Sequence, residues 1–365
     1  MSFIERVAAM PSHFWSVVFF VFGSAIGSFL NVCIHRMPRG ESIVSPPSHC
    51  PGCNARIPWH LNLPLISWLA LRGRCARCGV AISVRYFLVE LLTGLLFLGC
   101  WLAFGRQSAG LAIAYALFLA GLVVATFIDF EHFIIPDEIT LGGVGVGFVA
   151  SILVPALHGT NSPVSAAKWA LLGTVVGWAL MYGILRLGKL LFGREHLQLE
   201  PGSRIHFGEQ GITLPDRTIP YEEVFYRAQD TIRIDATRVE LVDRCYGEAP
   251  VRLSQHRLQV AGDEFEPEEV PFLEVTAERL NLPREAMGLG DVKFMMAFGA
   301  FLGWGGVIFS LMASAMIGAA VGISAIAVGR REWSSRIPFG PYLALAAAIW
   351  IFAGEAIVNA WLGMR

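Results

Sequence analysis

Two aspartates sit where one apolar run ends and another begins. Asp129 closes Thr126-Phe127-Ile128-Asp129-Phe130-Glu131-His132, with Ile135-Pro136-Asp137 just beyond; Asp291 opens a run from Gly288-Leu289-Gly290-Asp291-Val292-Lys293. Two carboxylates brought together cannot both stay ionised cheaply, so one proton is shared between them. The ionised member can then deprotonate a water while the protonated member polarises a peptide carbonyl, which is the chemistry of aspartic proteolysis. Gly288 and Gly290, having no side chain, would let a backbone or a substrate strand approach Asp291. On residue types alone other readings stay open. An aspartate at a helix end is commonly a cap or a solvated interface residue, and Asp137 after Pro136 fits an N-cap. Glu131, His132 and Lys293 fit ordinary interface charges. Glu90 interrupts the apolar Phe87-Leu88-Val89-Glu90-Leu91-Leu92 and is expected to pair inside the bundle, with an arginine or Asn31. Glu90, Asp129 and Asp291 would also serve as the proton path of an ion-coupled transporter, although no inverted hydropathy repeat accompanies them.

A second set of reactive residues is Cys50-Pro51-Gly52-Cys53 and Cys75-Ala76-Arg77-Cys78, two CxxC pairs separated by 21 residues. Four thiolates at this spacing match a tetrahedral zinc knuckle in which each turn offers two sulfurs. A site filled by four cysteines has no open position for water, so such a metal is structural. A redox dithiol needs only one pair, and a disulfide is disfavoured on the reducing side of a membrane. Cys33, Cys100 and Cys245 are scattered and read as packing residues. No HExxH motif is present to support a metalloprotease.

The elements that must position these groups are membrane spans. Of 365 residues 55% are apolar and only 16% charged, with a mean hydropathy of +0.56, against roughly 25% charged in soluble domains. Eight spans are expected near 14–34, 86–104, 110–128, 138–156, 166–187, 292–304, 306–328 and 340–361. The first is read as permanent, because no small-residue cleavage site follows it. The loop from His35 to Arg85 carries seven arginines against one acid, Glu41, which keeps it in the cytoplasm. Alternation then puts the turn after Asp129, the segment after Leu187 and the Arg330, Arg331 and Arg336 loop on that same face. Residues 195–287 differ from everything around them, with 19 acids, 10 bases and a net charge of −9. Period-two patches such as Thr231-Ile232-Arg233-Ile234-Asp235 and Arg252-Leu253-Ser254-Gln255-His256-Arg257-Leu258 predict a small soluble β-rich insertion. The fold class is therefore an all-α polytopic membrane protein with a four-cysteine loop and a β-rich insertion. Its expected parts are a first transmembrane helix over 1–34, the cysteine domain over 35–85, helices two to five over 86–194, the insertion over 195–287 and helices six to eight over 288–365. The net charge of −1 gives no ground for a nucleic-acid partner.

One ordered set of segments carries a resemblance. Gly27-Ser28-Phe29-Leu30-Asn31-Val32, His35-Arg36-Met37-Pro38, the two CxxC pairs, Ile82-Ser83-Val84-Arg85-Tyr86 and Val89-Glu90-Leu91-Leu92-Thr93-Gly94 precede the first aspartate motif. The GxGD segment and Pro338-Phe339-Gly340-Pro341 follow it. Together they resemble the type IV prepilin peptidases, membrane GxGD-type aspartic proteases, over nearly the whole chain except 195–287. The resemblance implies that Asp129 and Asp291 are the catalytic pair, with Gly288, Gly290, Lys293, Asp137 and Glu90 in support. It implies cleavage of the basic leader of prepilins and pseudopilins at the cytoplasmic face of the bacterial inner membrane. It also implies N-methylation of the new terminus with S-adenosylmethionine as donor, and service to a type IV pilus or type II secretion machinery. The sequence departs from the family in the insertion, where a short connection is usual, and in the Ala76-Arg77 filling of the second CxxC pair. An insertion beside Gly288 is either a gate for substrate or machinery, or a tolerated loop expansion.

Overall fold

The structure, a computed structural model, describes residues 12–208, 211–221, 224–225, 230–283, 288–328 and 338–363. Among these the chain forms eight α-helices: α1 (Ser12–Arg36), α2 (Ile66–Ala70), α3 (Val84–Phe104), α4 (Ala109–His132), α5 (Asp137–Leu153), α6 (Pro163–Phe192), α7 (Leu289–Ala327) and α8 (Gly340–Leu362). Five of them, α1, α3, α4, α6 and α7, are long and apolar enough to cross a membrane. Runs of Leu, Ala, Val and Phe with few charged residues make them so, since an apolar helix of about 20 residues spans the hydrocarbon core. α8 contributes a shorter apolar stretch, Gly340–Gly354. These helices and the β-rich region fit the expected polytopic membrane protein with an insertion. The Arg330, Arg331 and Arg336 loop lies outside the described residues.

The two expected spans at 292–304 and 306–328 are one helical run, α7, broken in the middle at Gly303. Gly303 has φ 67° and ψ −179°, a conformation that only glycine adopts without strain. Sequence and structure thus agree on two segments and differ on the connection, which is a one-residue break rather than a loop. Close helix approach also depends on glycine. A Cβ at Gly173 of α6 would lie 2.2 Å from the Gly299 carbonyl oxygen of α7, so the two backbones touch where side chains would hold them apart. Phe118 of α4 stacks on Phe301 of α7, with ring centroids 4.6 Å apart. α4, whose inward face includes Ala112, Ala116, Leu119 and Ile128, is the buried centre of the bundle.

The chain divides into two compact units, residues 1–181 with 289–365 and residues 182–288. The second carries a ten-stranded antiparallel sheet. Its strands are β1 (Arg194–Gln198), β2 (Arg204–Gly208), β3 (Gly211–Thr213), β4 (Thr218–Pro220), β5 (Thr231–Leu241), β6 (Cys245–Tyr246), β7 (Ala249–Ser254), β8 (Leu258–Val260), β9 (Asp263–Phe265) and β10 (Leu273–Pro283). The main path runs β4-β3-β2-β10-β5-β7-β8-β9, with β1 on β10 and β6 on β5. Alternation along β5 buries Ile232, Ile234, Ala236 and Val239 in one core with Val251, Leu253, Val275 and Leu280. The Arg252–Leu258 patch, which pointed to a β-rich insertion, holds the end of β7, a turn and the start of β8. The Ser254 amide donates to the Arg257 carbonyl at 2.8 Å and closes that turn. The next hairpin turns on Ala261 and Gly262, both at positive φ, as a two-residue loop between twisted strands requires.

Candidate functional site

Asp129 lies in the last turn of α4 and is 6% exposed. The helix stops four residues on because Phe133 turns into the left-handed region at φ 55°, its amide returning to the Asp129 carbonyl at 3.0 Å. A short extended piece then leads to Pro136, where α5 begins. Asp129 takes its side-chain partner from far along the chain: the Gly340 amide donates to its Oδ2 at 2.9 Å. Gly340 is the first residue of α8, so this donor is one of the amides a helix start leaves without an internal partner. A Cβ at position 340 would sit 2.7 Å from Asp129 Oδ2 and 3.2 Å from Ile135 Cδ1, so the contact requires glycine.

Asp291 is brought to the same place by its neighbour Gly290, which lies against Ile135. It stands in the first turn of α7, half-buried, one position after Gly290. A Cβ at Gly290 would lie 3.5 Å from Ile135 Cβ and 3.6 Å from the Ile135 backbone nitrogen. Ile135 is buried and is flanked by Gly290 and by the Gly340–Asp129 contact. The two aspartate-bearing segments therefore meet at one end of the bundle, across a single isoleucine. Lys293, two residues further along α7, crosses to α5 and donates to Asp137 Oδ1 and Oδ2 at 2.7 and 2.8 Å. Asp137 does not cap its helix: Pro136 holds the N-cap position and no side-chain cap bond forms. Glu131 pairs with Arg85 at the start of α3, and Gly288 is exposed.

Glu90 sits elsewhere. It accepts from the Leu65 amide at 2.7 Å, and so binds the loop that carries the cysteines. The expected Asn31 partner bonds elsewhere, its Nδ2 reaching the carbonyls of Tyr86 and Gly27. A backbone amide 25 residues earlier has no signature in sequence, which is why a side-chain partner was expected. Gly340 was named in the Pro338–Pro341 segment but given no role. The signal was there, a glycine between Phe339 and Pro341 at the start of an apolar run, where an amide and no Cβ are both available.

The four cysteines converge as their spacing predicts. Cys50, Cys53, Cys75 and Cys78 place their sulfurs within 4.8 Å of one another, with Cys50 and Cys78 at 3.8 Å. Tetrahedral Zn–S bonds of about 2.3 Å imply sulfurs about 3.8 Å apart, so the donor set fits such an ion. Each pair sits on a tight knuckle. The Cys50 amide donates to Ala55 and the Cys75 amide to Val80, while Asn54 and Gly79, each just after the second cysteine, both take positive φ. Amides of Cys78 and Arg77 aimed at Cys75 pull its thiol down to about 6, whereas Cys78, despite the Val80 amide, is pushed up to about 11 by desolvation and by the neighbouring sulfurs. Four thiolates gathered this closely without a cation would repel one another.

Comparison with known proteins gives the same assignment. Residues 21–104 match the bacterial peptidase A24 N-terminal domain, and residues 116–195 with 276–323 match the type IV leader peptidase family. Residues 196–275, skipped by the second match, fall within the β-rich unit. The prepilin leader peptidase/N-methyltransferase of Myxococcus xanthus is 42% identical over 52% of this chain and 55% of its own length. The protein of the same name from Aeromonas hydrophila is 29% identical over 98% of this chain and 97% of its own length. An Escherichia coli type 4 prepilin-like proteins leader peptide-processing enzyme is 36% identical, over 53% of this chain and 74% of that protein. No solved structure matches. With its aspartate motifs gathered at one end of an apolar bundle and its four cysteines in place, the chain belongs to the type IV leader peptidase family.

Proposed function

We propose that Asp129 and Asp291 are the catalytic pair with which this chain cleaves the leader peptide of prepilins. Cleavage and N-methylation of the new terminus are the two reactions for which its relatives are named, and this chain carries out both. The observation that carries the assignment of residues is the meeting of the two aspartate segments at Ile135, with the Gly340 amide on Asp129 Oδ2. With Oδ2 held, Oδ1 is the oxygen left to take a proton from water. The water oxygen then adds to the scissile carbonyl, whose oxygen receives a hydrogen bond from the Asp291 carboxyl. Collapse of the tetrahedral intermediate breaks the C–N bond, and the leaving amine takes the proton. Lys293, held on Asp137, fixes the first turn of α7 against that of α5 and so holds the position of Asp291.

Several finer assignments belong to the same proposal. Eight spans cross the inner membrane, α7 counting as two about Gly303, and the aspartates lie at the cytoplasmic face. The four cysteines hold a structural zinc ion, which closes the loop over 35–85. S-adenosylmethionine supplies the methyl group. Pseudopilins are substrates alongside prepilins, and the products feed a pilus or secretion machinery. A prepilin presents a basic leader and then an apolar helix, which would rest its scissile bond at the depth of the aspartates. Glycine before the cut weakens the helix there and exposes a carbonyl.

The test uses Asp129→Asn and Asp291→Asn in the full chain, reconstituted in lipid with a prepilin and labelled S-adenosylmethionine. Both variants are expected to keep the wild-type melting temperature and to lose cleavage by at least about 10²–10⁴-fold. Mass analysis of the peptide reports cleavage and methylation together. Wild-type cleavage by either folded variant overturns the assignment of the pair.

A further inference from the structure

The loop that carries the cysteines has an apolar face with no protein partner among the described residues. α2 lies between the two CxxC knuckles, and its inward residues are accounted for. Trp68 packs on Phe87 of α3 with centroids 5.2 Å apart and donates from Nε1 to the Ile82 carbonyl at 3.3 Å. Leu65, immediately before α2, donates its amide to Glu90 at 2.7 Å and holds φ at 61°, a strained value for leucine. The opposite side presents Ile66 at 65% and Leu69 at 57% exposure, with Leu63 and the 80% exposed Trp59 next to them in sequence.

Where this face sits follows from the span it is tied to. α3 has 21 residues, about 31 Å at 1.5 Å per residue, which is the thickness of the hydrocarbon core. Phe87 and Glu90 lie in its first two turns, Glu90 about 9 Å below Val84 by the same rise. A segment bonded to Glu90 and stacked on Phe87 is therefore drawn down beside the first two turns of a membrane helix. Next to it runs the outward stripe of α3, Val84, Leu88, Leu92 and Leu95, all exposed at the i, i+4, i+8, i+11 spacing of a lipid-facing surface. Arg72 and Arg74, both exposed, follow α2 directly and supply the cationic rim that interfacial elements set among headgroups.

We propose that α2 is an interfacial foot: Ile66 and Leu69 are seated in the headgroup–acyl boundary, and Glu90 is the buried post that holds the four-cysteine loop at that depth. The occupant of the face is the phospholipid bilayer, continuous with the lipid against α3. This goes beyond the peptidase reading and does not depend on it.

The experiment places the photoreactive residue p-benzoylphenylalanine singly at Ile66, Leu69, Leu92 or Val242 of the full chain. The protein is reconstituted in nanodiscs of phosphatidylethanolamine and phosphatidylglycerol, with and without a prepilin. Leu92 is the lipid-facing control and Val242, 68% exposed in the sheet unit, the control outside the spans. Photo-leucine at positions 66 and 69 repeats the measurement with a side chain no bulkier than the native one. The expected result is phospholipid adducts from 66 and 69 as abundant as from 92, none from 242, and no change when prepilin is added. Absence of lipid adducts at 66 and 69 with both probes overturns the proposal. So does capture of prepilin, or of a second copy of this chain, in place of lipid.

Discussion

The four-cysteine loop and the aspartate site are both built from separated motifs, but they close the chain over very different distances. Cys50 and Cys78 are 28 residues apart, and each half of the cluster is a self-contained turn with its own amide bonds. At the other end of the scale, the Asp129–Gly340 bond spans 211 residues and the Lys293–Asp137 pair 156. Loop-closure entropy grows only slowly with length, so the longer spans are not in themselves the main cost. The difference lies in what holds each cluster. The cysteine loop can be held by one ion, whereas the aspartates are held by helices α4, α5, α7 and α8 packing correctly. Damage to the first should be all or none, and damage to the second graded.

The largest effect is expected where one ion would do the holding. Cys50→Ser and Cys78→Ser each remove a ligand from a set of four. Purified variants should fall from one bound zinc per chain to none, by elemental analysis of the reconstituted protein. Structural sites contribute folding energy outright, so limited proteolysis should then cut within residues 40–82 while the spans stay intact. Retention of a full zinc equivalent in both variants would remove the distinction drawn between the two regions.

Gly340→Ala is the sharper probe of the other region. Its Cβ would come within 2.7 Å of Asp129 Oδ2, so the carboxylate must move by several tenths of an ångström or more. Misplacement on the scale of 1 Å costs about 100-fold in rate. The expected outcome is a fall in kcat of that order with KM nearly unchanged. The melting temperature should hardly change, because the affected contact lies at a helix end. Gly290→Ala should act differently. Its Cβ would meet Ile135 at 3.5 Å or more, ordinary contact, and alanine is favoured over glycine within a helix by up to about 1 kcal/mol. Stability should hold or rise slightly. If Gly290 leaves room for a substrate strand, one added methyl should raise KM roughly ten-fold, measured with prepilin in the same reconstituted system.

These two glycines also show how far the sequence was legible. The spans were readable because desolvating charge forbids it in mid-helix, and the cysteine knuckles because their ligands recur at fixed short spacing. Asp129 and Asp291 stood out as carboxylates at the edges of apolar runs. Gly290 was given a role and Gly340, named only within its motif, was not, although the geometry shows 340 to be the tighter position. What distinguishes them is a neighbour 211 residues away in the chain, and no local pattern encodes that. The Leu65 amide on Glu90 was hidden for the same reason: a backbone donor carries no residue-type signal. The β-rich character of the insertion was legible from its patches, but the strand order of its sheet was not, because pairing between distant strands leaves no local pattern.

The smallest expected effect concerns the Lys293–Asp137 pair, and its smallness is informative. The contact engages both carboxylate oxygens, yet the side chains are 33% and 58% exposed. Solvent at that exposure screens the charges, and such pairs contribute about 0.5 kcal/mol to stability. A double-mutant cycle of Lys293→Met and Asp137→Asn should therefore return a coupling near that value in thermal unfolding. A coupling several times larger would mean the pair is shielded by lipid or substrate and helps hold the bundle together. If the pair only aligns the starts of α5 and α7, kcat should fall in each single variant by more than the stability coupling accounts for. The double variant should be no worse than the singles, because once the tie is cut there is nothing left for the second substitution to remove. Such a result would complete the contrast with the cysteine loop: its contacts hold the structure together, while this one directs a helix that is already held.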